Sequence, residues 1–468
     1  MHALTRRLIL LIPPMLASQG CAGESDSLQD LVQATRTTDL KVLIIGIDGA
    51  TLSIIEPMIA EGKLPRTAEL IRNGSHGFLE SVEPTSSASI WNTIVTGRPR
   101  EVHGITHFLK DRDAEPEDWV LMGTNDRKVG ALWNWTGAFG KTVGFQGWWS
   151  SWPADPVDGW FVSDRMVRNR WTEWVEDSAV QSHVTFPEEL AAELAPLVLD
   201  PEDPPMDEIR ALVRLTEREE ALFLAATAPI KGHGLSVFKF AYCVQRTYEE
   251  IALRMLTKGQ PDLMGVFLVC NDPICHTFWH HYQPQFFART GGKKSERLGK
   301  LIPNFYEHND RYLTRLLDAV DDDTVVLIMS DHGFQVGDLV PHKVSDRRFD
   351  ELQLEAESEG YVTVGQSGRH HINGVLIAAG PGIRRGVRVD AHIFDITPTV
   401  LALMGLPVAE DMEGRVLEEL LTPDFLAEHP VRTIASYEDY FERTPIDAEG
   451  DASGEEIIDR LRALGYVK

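Results

Sequence analysis

The chain has 468 residues, 43% of them hydrophobic, which suits one large α/β domain with an insertion, or two domains, and excludes general disorder. Its formal net charge of -26 argues against a nucleic-acid scaffold, which needs a basic patch. A small anionic substrate stays open, because cations held in a pocket reverse the local field.

In chain order, Arg6 and Arg7 precede the apolar run 8–12, and small residues lead to Cys21. This is the layout of an export signal over residues 1–20, whose apolar run, broken by Pro13 and Pro14, is too short to span a bilayer as a helix. Cys21 in that place implies a lipoprotein signal and a lipid anchor; the start also faintly resembles a twin-arginine signal, and simple cleavage is the plainer alternative. The expected location is the bacterial cell envelope or periplasm. Residues 21–39 are polar, lack apolar periodicity and read as a tether. Beside Cys21 the chain has Cys243, Cys270 and Cys275, with no CxxC pair, which argues against a disulfide framework and against thiolate zinc ligation.

Short apolar runs at 42–47, 142–147, 263–270, 324–329 and 374–379 read as buried strands. Helical patterns lie between them, at 64–73 and 90–96 for example. Such alternation predicts an α/β fold, a mainly parallel central sheet with helices on both faces. Residues 165–260 are more charged and helical, at 187–199 and 206–225, and read as an inserted, mostly helical cap. The organisation is then 40–164 and 261–468 for the two parts of the catalytic domain, 165–260 for the cap, with helical patterns at 395–404 and 455–464 near the end. Trp148, Trp149 and Trp152, just before the insertion, read as packing of the cap on the sheet; a stacking platform for a base or glycan is the lesser reading.

Ligands of parallel sheets bind beyond the carboxyl ends of the strands. Three runs end in chemistry: Ile47 is followed by Asp48, Cys270 by Asn271 and Asp272, and Met329 by Ser330, Asp331 and His332. Carboxylates and neutral imidazoles converging from strand ends suit two divalent cations. Asp272 and His276 stand one helical turn apart, on one face. Alone, each has a bland alternative: Asp48 as a helix cap, Asp331 as a loop carboxylate, and His280, His281 and His371 as ordinary surface or core histidines. Thr85, Ser86, Ser87 and Ser89 open the helix that runs to Thr96, where an anion or a nucleophile is favoured, but capping competes and residue type does not choose among them.

Taken together and in order, the Asp48–Gly49 turn, the Pro84–Gly97 segment with His103, Gly104 and Ile105, Asp272 with His276, Ser330 to Gly333, and Gly368 to His370 resemble the alkaline phosphatase superfamily. The branch is that of type I phosphodiesterases and nucleotide pyrophosphatases, and the resemblance covers roughly residues 40–415. It implies an alkaline-phosphatase-like sandwich with two divalent metals, zinc first and manganese second. One metal would be held by Asp272, His276 and His370, with His370 preferred to His371. The other would be held by Asp48, Asp331 and His332, with Ser87 bridging toward it. The implied activity is hydrolysis of a small phosphate ester through a Ser87 nucleophile and a phosphoseryl intermediate. Phe108 stands where nucleotide pyrophosphatases carry an asparagine for a phosphoryl oxygen, with His107 and Asn92 as candidate substitutes. Phosphonate monoester or sulfate ester hydrolysis and phosphoryl transfer are the alternatives on the same site. A formylglycine sulfatase does not, since neither Pro nor Arg follows Ser87 in the required pattern. A surface binding lipoprotein is the non-enzyme alternative.

Overall fold

The computed structural model describes residues 27–110, 120–168, 182–227, 229, 233–287, 291–337, 367–441 and 443–448. Arg6, Arg7, Cys21 and the pattern at 455–464 lie outside them. Eleven strands matter here: β1 (Lys41–Ile47), β2 (Ser75–Glu80), β3 (Val143–Gln146), β4 (Gly159–Val162), β5 (Thr185–Phe186), β6 (Leu263–Leu268), β7 (Thr324–Met329), β8 (Gly333–Val336), β9 (Gly368–His371), β10 (Asn373–Ala379) and β11 (Arg388–His392). All but β8 and β9 form one nine-stranded sheet in the order β11-β2-β10-β7-β1-β6-β3-β4-β5. The α/β class with a mainly parallel sheet is therefore observed.

The central strands carry aliphatic residues on both faces because both faces are covered. Val42, Leu43, Ile44 and Ile45 of β1 are each 0% exposed. Burying each such side chain is worth roughly 1.5–3 kcal/mol. Gly46 interrupts the run for a reason: a Cβ there would come within 2.7 Å of the Trp91 ring. Its absence lets the Ser87–Thr96 helix lie close on β1.

Strand direction builds the functional edge. β1 runs parallel to β6 and β7, and β3 parallel to β6. β10 is antiparallel to β7 and to β2, with Asn373 opposite Glu80. The beginning of β10 therefore lies beside the ends of β2 and β7. Asp48, Asp272 and Asp331 follow β1, β6 and β7, His370 precedes β10, and Ser87 follows β2, so all five reach one edge of the sheet.

Several local expectations change. Residues 206–225 form two helices, Met206–Leu212 and Glu217–Ala225. The break is a capping box in which Thr216 accepts from the Glu219 amide and the Glu219 side chain answers the Thr216 amide, more favourable than continued helix. The 187–199 pattern shortens to Leu190–Leu194 and a 3-10 turn holding Pro196. Part of the stretch read as a tether, Leu28–Ala34, is a helix capped by Ser27, and Thr38 donates to the Leu403 carbonyl at 2.7 Å. The stretch read as a cap also contributes to the main body: β5 pairs with β4, and the long helix Gly234–Leu256 packs on β6. Among the described residues, no helix is long and apolar enough to cross a membrane. Cys243, Cys270 and Cys275 are buried free thiols.

Candidate metal centre and nucleophile

Six residues far apart in the chain gather at this edge. Asp48, Asp272, Asp331 and His332 are each 0% exposed and His276 is 4% exposed, whereas the His370 side chain is 19% exposed and marks the open side. Asp272 Oδ1 lies 3.2 Å from His276 Nε2 and 3.1 Å from His370 Nε2, and those two nitrogens are 2.9 Å apart. His332 Nε2 lies 3.4 Å from Asp331 Oδ2 and 3.5 Å from Asp48 Oδ1. Ser87 Oγ is 3.4 Å from both Asp48 Oδ1 and His332 Nε2. Ligands about 2.0–2.1 Å from a tetrahedral zinc stand about 3.3 Å from one another. Both sets have that spacing. Asp272, His332 and His370 also gather within one ligand sphere, but His332 Nε2 is 3.8 Å from Asp272 Oδ1. His276 is the nearer partner of Asp272, and His332 lies nearer to Asp48 and Asp331.

The histidines are prepared in one way. Nδ1 of His276 donates to the Gly368 carbonyl at 2.9 Å, and Nδ1 of His332 to the Gly333 carbonyl at 3.1 Å. Nδ1 of His370 meets the Thr85 carbonyl at 3.2 Å and its hydroxyl at 2.9 Å. A carbonyl only accepts, so the proton is on Nδ1 and each Nε2 directs a lone pair inward. Two such lone pairs 2.9 Å apart, in His276 and His370, require a proton or a cation between them. Asp272 Oδ2 and Asp331 Oδ2 are buried without hydrogen bonds. Among the described residues, no Lys or Arg pairs with any of the three carboxylates. Three buried carboxylates without such partners are costly unless cations join them. The donor set thus fits two divalent metal ions.

Electrostatics agree. Burial, then Asp331 and Asp272, push the Asp48 carboxyl well above its usual range. Burial pushes Asp331 up to about 7, against the pull of His370. Burial also opposes charge on Asp272, but His276 and His370 overcome it and hold that carboxyl low. Burial and His370 keep His332 neutral. Because Asp331 binds its proton more tightly folded than unfolded, its stabilisation is complete below its ordinary value of 3.8 and lost as pH rises through about 7. In chelator, the melting temperature of the wild type relative to Asp331→Asn should therefore fall from about pH 4 to about pH 7. A difference that is flat or grows over that window contradicts this electrostatic account.

The structure separates the four competing hydroxyls. Ser87, first residue of its helix and 1% exposed, faces Asp48 and His332. Thr85 holds His370. Ser86 Oγ and Ser89 Oγ make no hydrogen bond. His370 and His371 occupy consecutive positions on β9, which send side chains to opposite faces. His371 instead accepts from the Asn373 amide at 3.1 Å.

Other expectations are corrected. Asn92 does not stand in for a phosphoryl-binding amide, since its Nδ2 is spent on the carbonyls of Ala88 at 2.8 Å and Trp149 at 3.1 Å. Trp148 and Trp149, 0% and 1% exposed, present no stacking platform. On the sheet side, Trp148 stands edge-on to Trp91 at 5.0 Å, and Trp148 and Trp149 both approach Phe267 of β6. Trp152 meets the 165–260 stretch, with the Arg165 guanidinium 4.1 Å over its ring. His103 is structural. It bonds Thr93 at 3.0 Å and accepts from the Ile105 amide at 3.1 Å, while burial and Arg127 push it down to about 3.

Sequence reasoning missed the residues that fix the turns. Ser330 Oγ accepts from the Ala50 amide at 2.8 Å and donates to the His332 carbonyl at 2.7 Å, joining the turns after β1 and β7. The Gly49 amide donates to Asp331 Oδ1 at 3.3 Å. Gln245 accepts from the Cys270 amide at 2.9 Å and donates to Asn309 at 2.8 Å, and Asn309 donates to Asn271 at 2.7 Å, bracing the turn that carries Asp272. Gln245 and Asn309 lie within helices with no local motif; only contact reveals them.

This geometry comes with a family. The chain belongs to the type I phosphodiesterase / nucleotide pyrophosphatase family, which it matches over residues 42–375. No curated protein matches the sequence as a relative. Similar solved structures include murine ectonucleotide pyrophosphatase / phosphodiesterase 5 in complex with AMP, at 13% identity over 82% of this chain and 100% of that one, TM-score 0.43. Alkaline phosphatase PafA is similar at 12% identity over 83% and 100%, TM-score 0.47. Phosphonoacetate hydrolase from Sinorhizobium meliloti is similar at 13% over 78% and 98%, TM-score 0.41.

Proposed function

We propose that this protein is a two-metal phosphoric ester hydrolase of the alkaline phosphatase superfamily, with Ser87 as nucleophile. The observation that carries this reading is the Ser87 hydroxyl, 3.4 Å from Asp48 Oδ1 and from His332 Nε2, completing a donor set of tetrahedral spacing. One metal would be held by Asp272, His276 and His370, the other by Asp48, Asp331, His332 and Ser87. When bound, such ions neutralise phosphoryl charge and lower the pKa of a coordinated hydroxyl. Zinc suits imidazole and carboxylate donors; manganese is the second choice.

Ser87 opens its helix, so the first-turn amides favour an anionic phosphoryl group at its hydroxyl. Attack by Ser87 Oγ on phosphorus expels the alcohol and leaves a phosphoseryl group, which water then hydrolyses. The substrate enters past His370 and Thr85, the least buried part of the centre. Export and a lipid anchor at Cys21 would place this chemistry in the bacterial envelope. A surface binding protein has no use for this complete donor set around a hydroxyl.

The test is a panel of p-nitrophenyl esters, namely phosphate, phenylphosphonate, a nucleotide diester and sulfate, with zinc-loaded or manganese-loaded protein. Turnover of at least one phosphorus ester above sulfate is expected. No turnover by protein containing two metals, or turnover of sulfate alone, rejects the reading.

A further inference from the structure

The loop after β3 reaches the centre from a side that no motif marks. β3 is parallel to β6, so its carboxyl end lies on the same edge as Asp272. Gly147, with φ +68°, turns the chain there. Trp149 then donates its indole N–H to Asp48 Oδ2 at 3.3 Å. The other oxygen of that carboxylate, Oδ1, faces Ser87 Oγ at 3.4 Å and His332 Nε2 at 3.5 Å. One oxygen is thus tied down and the other points into the donor set.

The indole is itself held in place. The Trp149 carbonyl accepts from Asn92 of the Ser87–Thr96 helix at 3.1 Å. Its ring stands edge-on to Phe108, with centroids 4.9 Å apart at 85°. The preceding residue is pinned as well: Trp148 Nε1 donates to the Trp91 carbonyl at 2.9 Å, and Ser151 Oγ donates to the Trp148 carbonyl at 2.6 Å. The loop is therefore bolted to the helix that carries the nucleophile.

We propose that Trp149 is a positioning residue for the metal centre: its N–H occupies Asp48 Oδ2 so that Oδ1 is presented to the cation shared with Asp331, His332 and Ser87. This rests on the two-metal reading above. An indole suits the task because it is a neutral donor with no acceptor capacity. A lysine or arginine in its place would form an ion pair that competes with the cation for the carboxylate. Phe108 shields the hydrogen bond from water, which strengthens it.

The test is zinc binding rather than turnover. Metal-free wild type and Trp149→Phe are titrated with zinc against a competing chelator, and the metal-free melting temperature of each is recorded. Hydrogen bonds that orient metal ligands are typically worth about 10–100-fold in affinity. One of the two zinc equivalents should weaken by about that factor in Trp149→Phe while the other is unchanged. The same pair is compared in an Asp48→Ala background, where removing the N–H should cost nothing further. A packing defect would instead appear in both backgrounds and lower both metal-free melting temperatures. Unchanged zinc affinity, equal weakening of both equivalents, or a loss of equal size without Asp48 overturns the assignment. Wild type that takes up no zinc fails at the two-metal reading, before Trp149 enters.

Discussion

Ser87→Ala is expected to abolish turnover of phosphorus esters, lowering kcat by at least about a thousandfold, or roughly 4 kcal/mol of barrier at 1.36 kcal/mol per tenfold. It should keep its metals, because Asp48, Asp272, His276, Asp331, His332 and His370 all remain. Metal analysis beside turnover of the best p-nitrophenyl ester reads both quantities. The neighbours supply the control. Ser89 Oγ is buried without a hydrogen bond, so Ser89→Ala removes no interaction and should leave metal content and folding intact. Thr85→Ala removes a partner of His370 Nδ1 and should loosen the metal held with Asp272 without removing the nucleophile. Full activity in Ser87→Ala would take Ser87 out of the reaction.

Metal removal should have the second large effect. Without cations, three fully buried carboxylates confront one another with no lysine or arginine partner among the described residues, only histidines and a few neutral donors. Chelation should abolish activity and lower the melting temperature, and added zinc should restore both. With free metal at a hundred times its dissociation constant, each site adds about 2.7 kcal/mol of stability. Asp272→Ala removes the carboxylate that joins His276 and His370, so metal content should fall from about two per chain toward one. Two metals retained in that variant would contradict the assignment of Asp272. The arrangement also predicts proton release on metal uptake. Asp272 raises His276 against its burial, and Asp331 is pushed up to about 7, so a cation entering near neutral pH displaces protons from both.

Much of this was legible along the chain because it is local. Buried strands such as β1 and β7 announce themselves as aliphatic runs, interrupted in β1 by Gly46. In a parallel sheet the chemistry gathers just beyond the carboxyl end of each run, which is where Asp48, Asp331 and His332 stand. Asp272 and His276 are legible together because one helical turn puts them on one face. Some local signals were read too coarsely. Thr216 and Glu219 end one helix and start the next, and β2 alternates buried and half-buried positions around a glycine, so neither looked like what it is.

What residue type and spacing determined about this protein was the class of fold and the inventory of donors, because those depend on composition and on neighbours within a few residues; the family was implied by the resemblance of its motifs taken in order. The tertiary structure decided which donors meet. Of the four hydroxyls, it placed that of Ser87 against Asp48 and His332. It separated His370 from His371 by the alternation of β9, assigned Thr85 and Trp149 to the support of His370 and Asp48, and tied Gln245 and Asn309 to the Asp272 turn. The reason is physical: a metal site is a set of distances of a few ångströms between groups up to hundreds of residues apart. Those distances are fixed by strand order and direction, above all by β10, which runs antiparallel to β2 and β7, so that His370, just before it, stands at the edge where those two strands end.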